Sequence, residues 1–209
     1  MCSSDLGELL DQIDPATNLA KTIDIGSGYR GIAYGDGSVW LTNDVKSTVL
    51  RIDTATLEKD VIDLPAGSAP KGIAVGGGSV WVADSIGSKV FRIDPRTNSV
   101  VGTGTSVLAG HPEEVAFGQG YVWVTNESND SVTRIDPATG EGVSVEHVGN
   151  GPRGIAAGPE GVWVANGLDG TLAQIDPKTA KVVRTVRIGF SPDGVAVGGG
   201  AVWVAVGSR

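Results

Sequence analysis

Five charged side chains recur at one position of a repeating pattern: Arg30, Lys71, Glu113, Arg153 and Asp193. They are expected before each first strand, in the loops Gly28-Tyr29-Arg30-Gly31, Pro70-Lys71-Gly72, Pro112-Glu113-Glu114, Pro152-Arg153-Gly154 and Pro192-Asp193-Gly194. A guanidinium or ammonium placed this way supplies donors for a carboxylate, phosphate or other polar group. The charge changes from copy to copy while the rest of the repeat scarcely varies, so this position is where specificity would reside. Tyr29 and His111 stand beside the set. The competing reading is structural, since exposed charges also serve as solvated loop residues or as surface ion pairs worth little. A second set, Asn43, Asp84, Asn126 and Asn166, recurs later in the repeat and is replaced by Val206 in the last copy. Asx side chains hold turns through nearby backbone, so this set reads as a structural ring.

Nothing else assembles into a catalytic constellation. The histidines are His111, in the loop entering a first strand, and His147, in Val145-Glu146-His147-Val148 on a fourth strand. The single cysteine, Cys2, excludes an internal disulfide and a thiolate metal site. No catalytic residue, metal ligand or cofactor is assigned. Gly76-Gly77-Gly78 imitates part of a phosphate loop, but no helix follows to present its N-terminus. Asn126-Glu127-Ser128 and Asn129-Asp130-Ser131 match the glycosylation acceptor pattern, which has no meaning without a secretory route.

The elements that position these residues are set by a period of about 40 residues. It is carried by Trp40, Trp81, Trp123, Trp163 and Trp203 and by Ile-Asp pairs from Ile13-Asp14 to Ile175-Asp176. Within one copy, Gly72–Gly76, Ser79–Asp84, Lys89–Asp94 and Ser99–Val101 are short β-branched or aromatic runs bounded by Gly, Asn, Asp or Pro, the signature of strands. Two-residue hairpins at Asp36-Gly37, Gly77-Gly78, Gln119-Gly120, Pro159-Glu160 and Gly199-Gly200 join the first two strands. Asp-Pro-x-Thr turns join the last two, with Thr54 in place of Pro in the second copy. Four antiparallel strands per repeat, with no helix, require an all-β propeller of about five blades. The tryptophans read as core between blades, and the charged set as a ring at the mouth of the central channel.

The chain begins with third and fourth strands and ends with first and second strands. These halves would close a five-bladed ring. The favoured alternative is an arc from a six- or seven-bladed protein, a fragment of something longer. Met1–Leu6 resembles a translated adapter remnant, so residues 1–7 are set aside as a non-native or disordered lead-in to a domain at 8–209.

The formal net charge of −8 disfavours nucleic acid and anionic membrane surfaces. No apolar run reaches the about 18 residues of a membrane span, so no direct insertion is expected.

The segments Val122-Trp123-Val124-Thr125-Asn126, Val80-Trp81-Val82-Ala83-Asp84 and Val162-Trp163-Val164-Ala165-Asn166, coupled to Ile-Asp-Pro-Ala-Thr, resemble the YVTN family of bacterial β-propeller repeats. More loosely they are similar to NHL-type and virginiamycin B lyase-like propellers. The resemblance covers residues 8 to 206. It implies a non-enzymatic binding or scaffold module, extracytoplasmic and part of a larger bacterial protein. A lyase or lactonase-type hydrolase is the alternative the resemblance implies, but His111 and His147 do not match the lyase pattern. The expected partner is a small polar or anionic ligand or a protein segment, held by Arg30, Lys71 and Arg153.

Overall fold

The computed structural model describes residues 9–107 and 110–207, so the lead-in read at 1–7 lies outside the described residues. Strands β1 (Leu9–Ile13) and β2 (Ala20–Asp24) form a two-stranded sheet. Four complete blades follow. The first is β3 (Tyr29–Gly35), β4 (Ser38–Asn43), β5 (Thr48–Asp53) and β6 (Lys59–Asp63). The second is β7 (Pro70–Gly76), β8 (Ser79–Asp84), β9 (Lys89–Asp94) and β10 (Ser99–Ser106). The third is β11 (Pro112–Gly118), β12 (Tyr121–Asn126), β13 (Ser131–Ile135) and β14 (Gly142–Val145), and the fourth β15 (Pro152–Gly158), β16 (Gly161–Asn166), β17 (Thr171–Asp176) and β18 (Lys181–Arg187). Strands β19 (Ser191–Gly198) and β20 (Ala201–Gly207) make a last pair.

Every sheet is antiparallel with its strands in chain order. The first strands β3, β7, β11, β15 and β19 pack in series along the inside, which is the β-propeller arrangement. Among the described residues the two half-sheets β1–β2 and β19–β20 are not paired with one another, so the five-bladed closed ring does not form. Among the described residues no helix is long and apolar enough to cross a membrane.

Second strands such as β8 and β16 are buried along their whole length, because neighbouring blades cover both faces. Four of the five indoles point forward onto the next blade. Trp40 clusters with Ile73, Val80 and Ile93, Trp81 with Val115, Val122 and Val124, and Trp123 with Ile155, Val162 and Val164. Trp163 packs with Val195, Val197 and Val202. Trp203 departs from the core assignment at 65% exposure, since among the described residues no sheet follows to cover it.

A second device crosses the seams. The Arg51 guanidinium lies 5.1 Å from the Trp40 ring centroid and donates to Pro95 O of the next blade at 2.8 Å. Arg92 repeats this over Trp81, with a longer 3.4 Å reach to Pro137 O, and Arg134 lies over Tyr121 and donates to Pro177 O at 2.8 Å.

The turns follow their residues. Asp36-Gly37, Gly77-Gly78, Gln119-Gly120 and Gly199-Gly200 all have positive φ, the mirror-image turn that matches strand twist. The Pro159-Glu160 turn differs, because proline is locked at negative φ, and only Gly161 after it turns positive. Asp14, Asp53, Asp94, Asp136 and Asp176 each accept an amide from two residues ahead. Contrary to the all-strand expectation, β12 leads into one 3-10 turn at Glu127–Asn129.

Candidate ligand site at the channel mouth

The charged ring lies inside the first strands, not in the loops before them. In each complete blade two residues of the first strand face a single residue of the second: Arg30-Gly31 opposite Thr42, Lys71-Gly72 opposite Ala83, Glu113-Glu114 opposite Thr125, and Arg153-Gly154 opposite Ala165. In β19 the register slips at Asp193. A bulge of this kind bends the strand and re-aims the extra side chain, which is how the charges come to face the channel. Thr42 and Thr125 brace the bulges they oppose. Thr42 Oγ1 accepts the Gly31 amide at 2.8 Å and donates to Lys71 O of the next blade at 2.6 Å. Thr125 Oγ1 accepts the Glu114 amide at 3.0 Å and donates to Arg153 O at 2.9 Å.

Lys71, Glu113, Arg153 and Asp193 line one cavity of about 650 Å³ at the inner face of the blades. Ile73, Val115 and Ile155 also border this cavity, but their side chains are buried in the seams with Trp40, Trp81 and Trp123. Arg30 borders an adjoining cavity of about 350 Å³, which shares Lys71, Glu113 and Glu114 with the first. Tyr29 and His111 do not belong to the mouth. Tyr29 packs beside Ile23 and Leu41 at the seam with β1–β2, where burial raises its phenol above the usual range. The exposed His111 has a φ of 61° and its Nδ1 lies 2.7 Å from Ser128 Oγ, so it is turned toward the 3-10 turn. His147 is exposed and lies beyond the end of β14, not on the fourth strand.

The cations of the ring are already engaged. Arg30 pairs with Asp44 at 2.7 Å, Lys71 with Glu113, and Arg153 with Glu127 at 2.8 Å and, more distantly, with Asp193 at 4.0 Å. Sequence spacing does not assign Glu127 to the site, because it rides on a 3-10 turn that the repeat does not announce. Nor does it assign Glu114, although a signal exists: the other repeats carry Gly31, Gly72, Gly154 and Gly194 at its position. Its Oε1 accepts the Val115 amide at 3.1 Å. Burial, with added repulsion from Glu113 and Asp193, raises its carboxyl above the usual range in spite of that bond.

The Asx set is buried. Asn43 donates to Ser27 O at 2.8 Å and accepts the Lys46 amide at 2.9 Å; Asp84 accepts the Ala69 amide at 2.9 Å; Asn166 donates to Val148 O at 2.6 Å. The bonds to Ser27, Ala69 and Val148 tie the end of the second strand to the loop entering the first, while the bond from Lys46 holds the turn after β4. Asn126 instead donates to Thr133 Oγ1 at 2.9 Å within its own blade.

A family model described as YNCE-like beta-propeller matches residues 102–208. No curated protein matches the chain. Among solved structures, virginiamycin B lyase from Staphylococcus aureus is similar at 19% identity and a TM-score of 0.84, over 96% of this chain and 71% of that one. A streptogramin B lyase is similar at 16% identity and a TM-score of 0.86, over 97% and 70%. A catalytically inactive histidine-to-alanine variant of the Staphylococcus aureus lyase with quinupristin is similar at 19% identity and a TM-score of 0.81, over 96% and 71%. At such identities the likeness is one of fold.

Proposed function

The chain belongs to the YNCE-like β-propeller family, and from that membership we propose that it works as a non-enzymatic binding module whose channel mouth takes a small polar ligand or a protein segment. The observation that carries this reading is the cavity itself. Bulges in successive first strands aim charged side chains into one concave space, an arrangement suited to orienting a ligand by a few polar contacts.

The alternative is a lyase or hydrolase, drawn from the fold likeness to lyases and from the raised carboxyl of Glu114. One of those lyases is catalytically inactive once a histidine is replaced by alanine. Here both His111 and His147 lie away from the cavity, which favours binding over turnover. The proposed setting is extracytoplasmic, within a larger bacterial protein. Nucleic acid is not the proposed partner, because the net charge of −8 opposes it.

A thermal-shift screen of polar metabolites, followed by mass spectrometry of each hit after incubation, tests the reading. Hits should return chemically unchanged and should lose their effect when Lys71 and Arg153 are replaced together by alanine. Conversion of a hit to a product would make the protein an enzyme.

A further inference from the structure

The dipeptide Asn-Gly occurs at Asn150-Gly151 and again at Asn166-Gly167, and the fold treats the two copies differently. Asn-Gly is the pair at which a side-chain amide is most readily lost, because glycine has no side chain to obstruct ring closure by its own backbone nitrogen. Asn166 is fully buried, and its Nδ2 donates to Val148 O at 2.6 Å and to Thr171 Oγ1 at 3.1 Å. Asn150 is exposed, in the loop between β14 and β15.

Two carboxylates close on the exposed copy. Asp169, from the loop between β16 and β17, accepts the Asn150 backbone amide at 2.6 Å with one oxygen and Asn150 Nδ2 at 2.8 Å with the other. Asp130, just before β13, accepts the Gly151 amide at 2.8 Å. These contacts fall on the groups that ring closure uses. The Gly151 nitrogen must shed its proton and attack Asn150 Cγ; the Cγ–Nδ2 bond then breaks, ammonia leaves and a succinimide remains, which water opens to aspartate or isoaspartate. The two hydrogen bonds hold the side-chain amide and its attacking nitrogen on separate partners. The two negative charges also disfavour the nitrogen anion and the oxyanion that must form beside them.

We propose that Asn150 is a site of spontaneous deamidation whose rate in the folded chain is held down by Asp130 and Asp169. Conversion undoes the clamp, because the product carboxylate takes the place of the Nδ2 donor that faces Asp169 and like charges then meet.

The test is peptide mapping by mass spectrometry of the full chain after incubation at mildly alkaline pH, folded and in concentrated guanidinium chloride, with aspartate and isoaspartate products separated. In the folded chain Asn150 should convert more slowly than in denaturant, and Asn166 should stay intact. Asp169→Ala and Asp130→Ala should each raise the folded-state rate at Asn150 by about ten-fold, the change expected from loss of one charged hydrogen bond. Asp130→Asn, which keeps an acceptor without the charge, should fall between wild type and Asp130→Ala. Rates unchanged in both alanine variants, or a folded wild-type rate equal to the denatured one, would overturn the guard. Conversion of Asn166 in step with Asn150 would trace the reaction to global opening and overturn it as well. No conversion at Asn150 even in denaturant would remove the site. Separately, Asn150→Asp should melt below both wild type and Asn150→Ala, and an equal melting temperature would overturn the opening of the clamp.

Discussion

The carboxylate of Glu114 fills the space that Gly72 leaves by having no side chain: a methyl group on Gly72 would fall 2.7 Å from Glu114 Oε1 and 2.6 Å from Glu114 Cα. Because the second contact is with backbone, rotation of the glutamate alone cannot relieve it. Gly72→Ala should therefore destabilise the fold by about 1–3 kcal/mol, the usual cost of overpacking. Urea unfolding measures it, and wild-type stability would show that the two blades have slack at this seam.

Glu114 also makes a prediction about pH. Its folded carboxyl titrates above its unfolded value, so the native state holds this proton more tightly, and the group's contribution to stability falls as pH rises through the window between the two. Glu114→Gln removes that penalty. The variant should be more stable than wild type at pH 7, with the advantage vanishing near pH 3, where both states of the glutamate are protonated. Denaturant midpoints across pH read this directly, and a variant less stable at pH 7 would contradict it.

The turn aspartates act in the opposite sense. A backbone amide of Ala16 holds Asp14 below the usual carboxylate range, Thr56 does so for Asp53, the Arg96 side chain for Asp94 and the Lys178 amide for Asp176. Their contribution is present above the unfolded value and lost as pH falls through the folded one. Replacing Asp53 and Asp176 by Asn should flatten the acid limb of the stability curve, measured by melting temperature between about pH 5 and 2. An unchanged acid limb would remove these turns from the account.

The indoles differ in their cover. Trp123 is fully buried against the fourth blade while Trp203 is mostly exposed. Trp123→Ala should cost about 3–5 kcal/mol, whereas Trp203→Ala should stay within about 0.5 kcal/mol. Equal losses in chemical denaturation would mean that Trp203 is covered in solution.

The arginine staples are graded by their reach. Arg51 and Arg92 both lie over tryptophan, but Arg51 also donates to Asn98 Oδ1 at 2.9 Å and holds Pro95 O closely, while Arg92 stands 3.4 Å from Pro137 O. Arg51→Ala should cost about 1–3 kcal/mol, in the range of a charged hydrogen bond, and Arg92→Ala less. The reverse order in unfolding measurements would locate the staple energy in the ring contact instead of the carbonyl.

Much of the architecture was legible because a repeat writes the same local instructions several times. Asp36-Gly37 and Gln119-Gly120 can adopt the positive φ that their hairpins need, and Asp136 can accept from the amide of Ala138, all within a few residues. The 3-10 turn at Glu127–Asn129 was missed since Glu-Ser-Asn carries no apolar period to announce it. Proximity to Arg30 along the chain puts Tyr29 at the mouth, yet neighbouring strand residues point to opposite faces, and Tyr29 packs at a seam.

The sequence by itself determined four-stranded units, their turns, the tryptophan seams and the position at which charge varies, because each depends on residue types close together along the chain. Only the tertiary structure decided that the half-sheets remain apart, that Lys71 meets Glu113 and Arg153 meets Glu127, and that Glu114 lies over Gly72. Those pairings join residues far apart in sequence, and they follow from the packing of successive first strands and the direction a bulge gives a side chain, neither of which a linear spacing encodes.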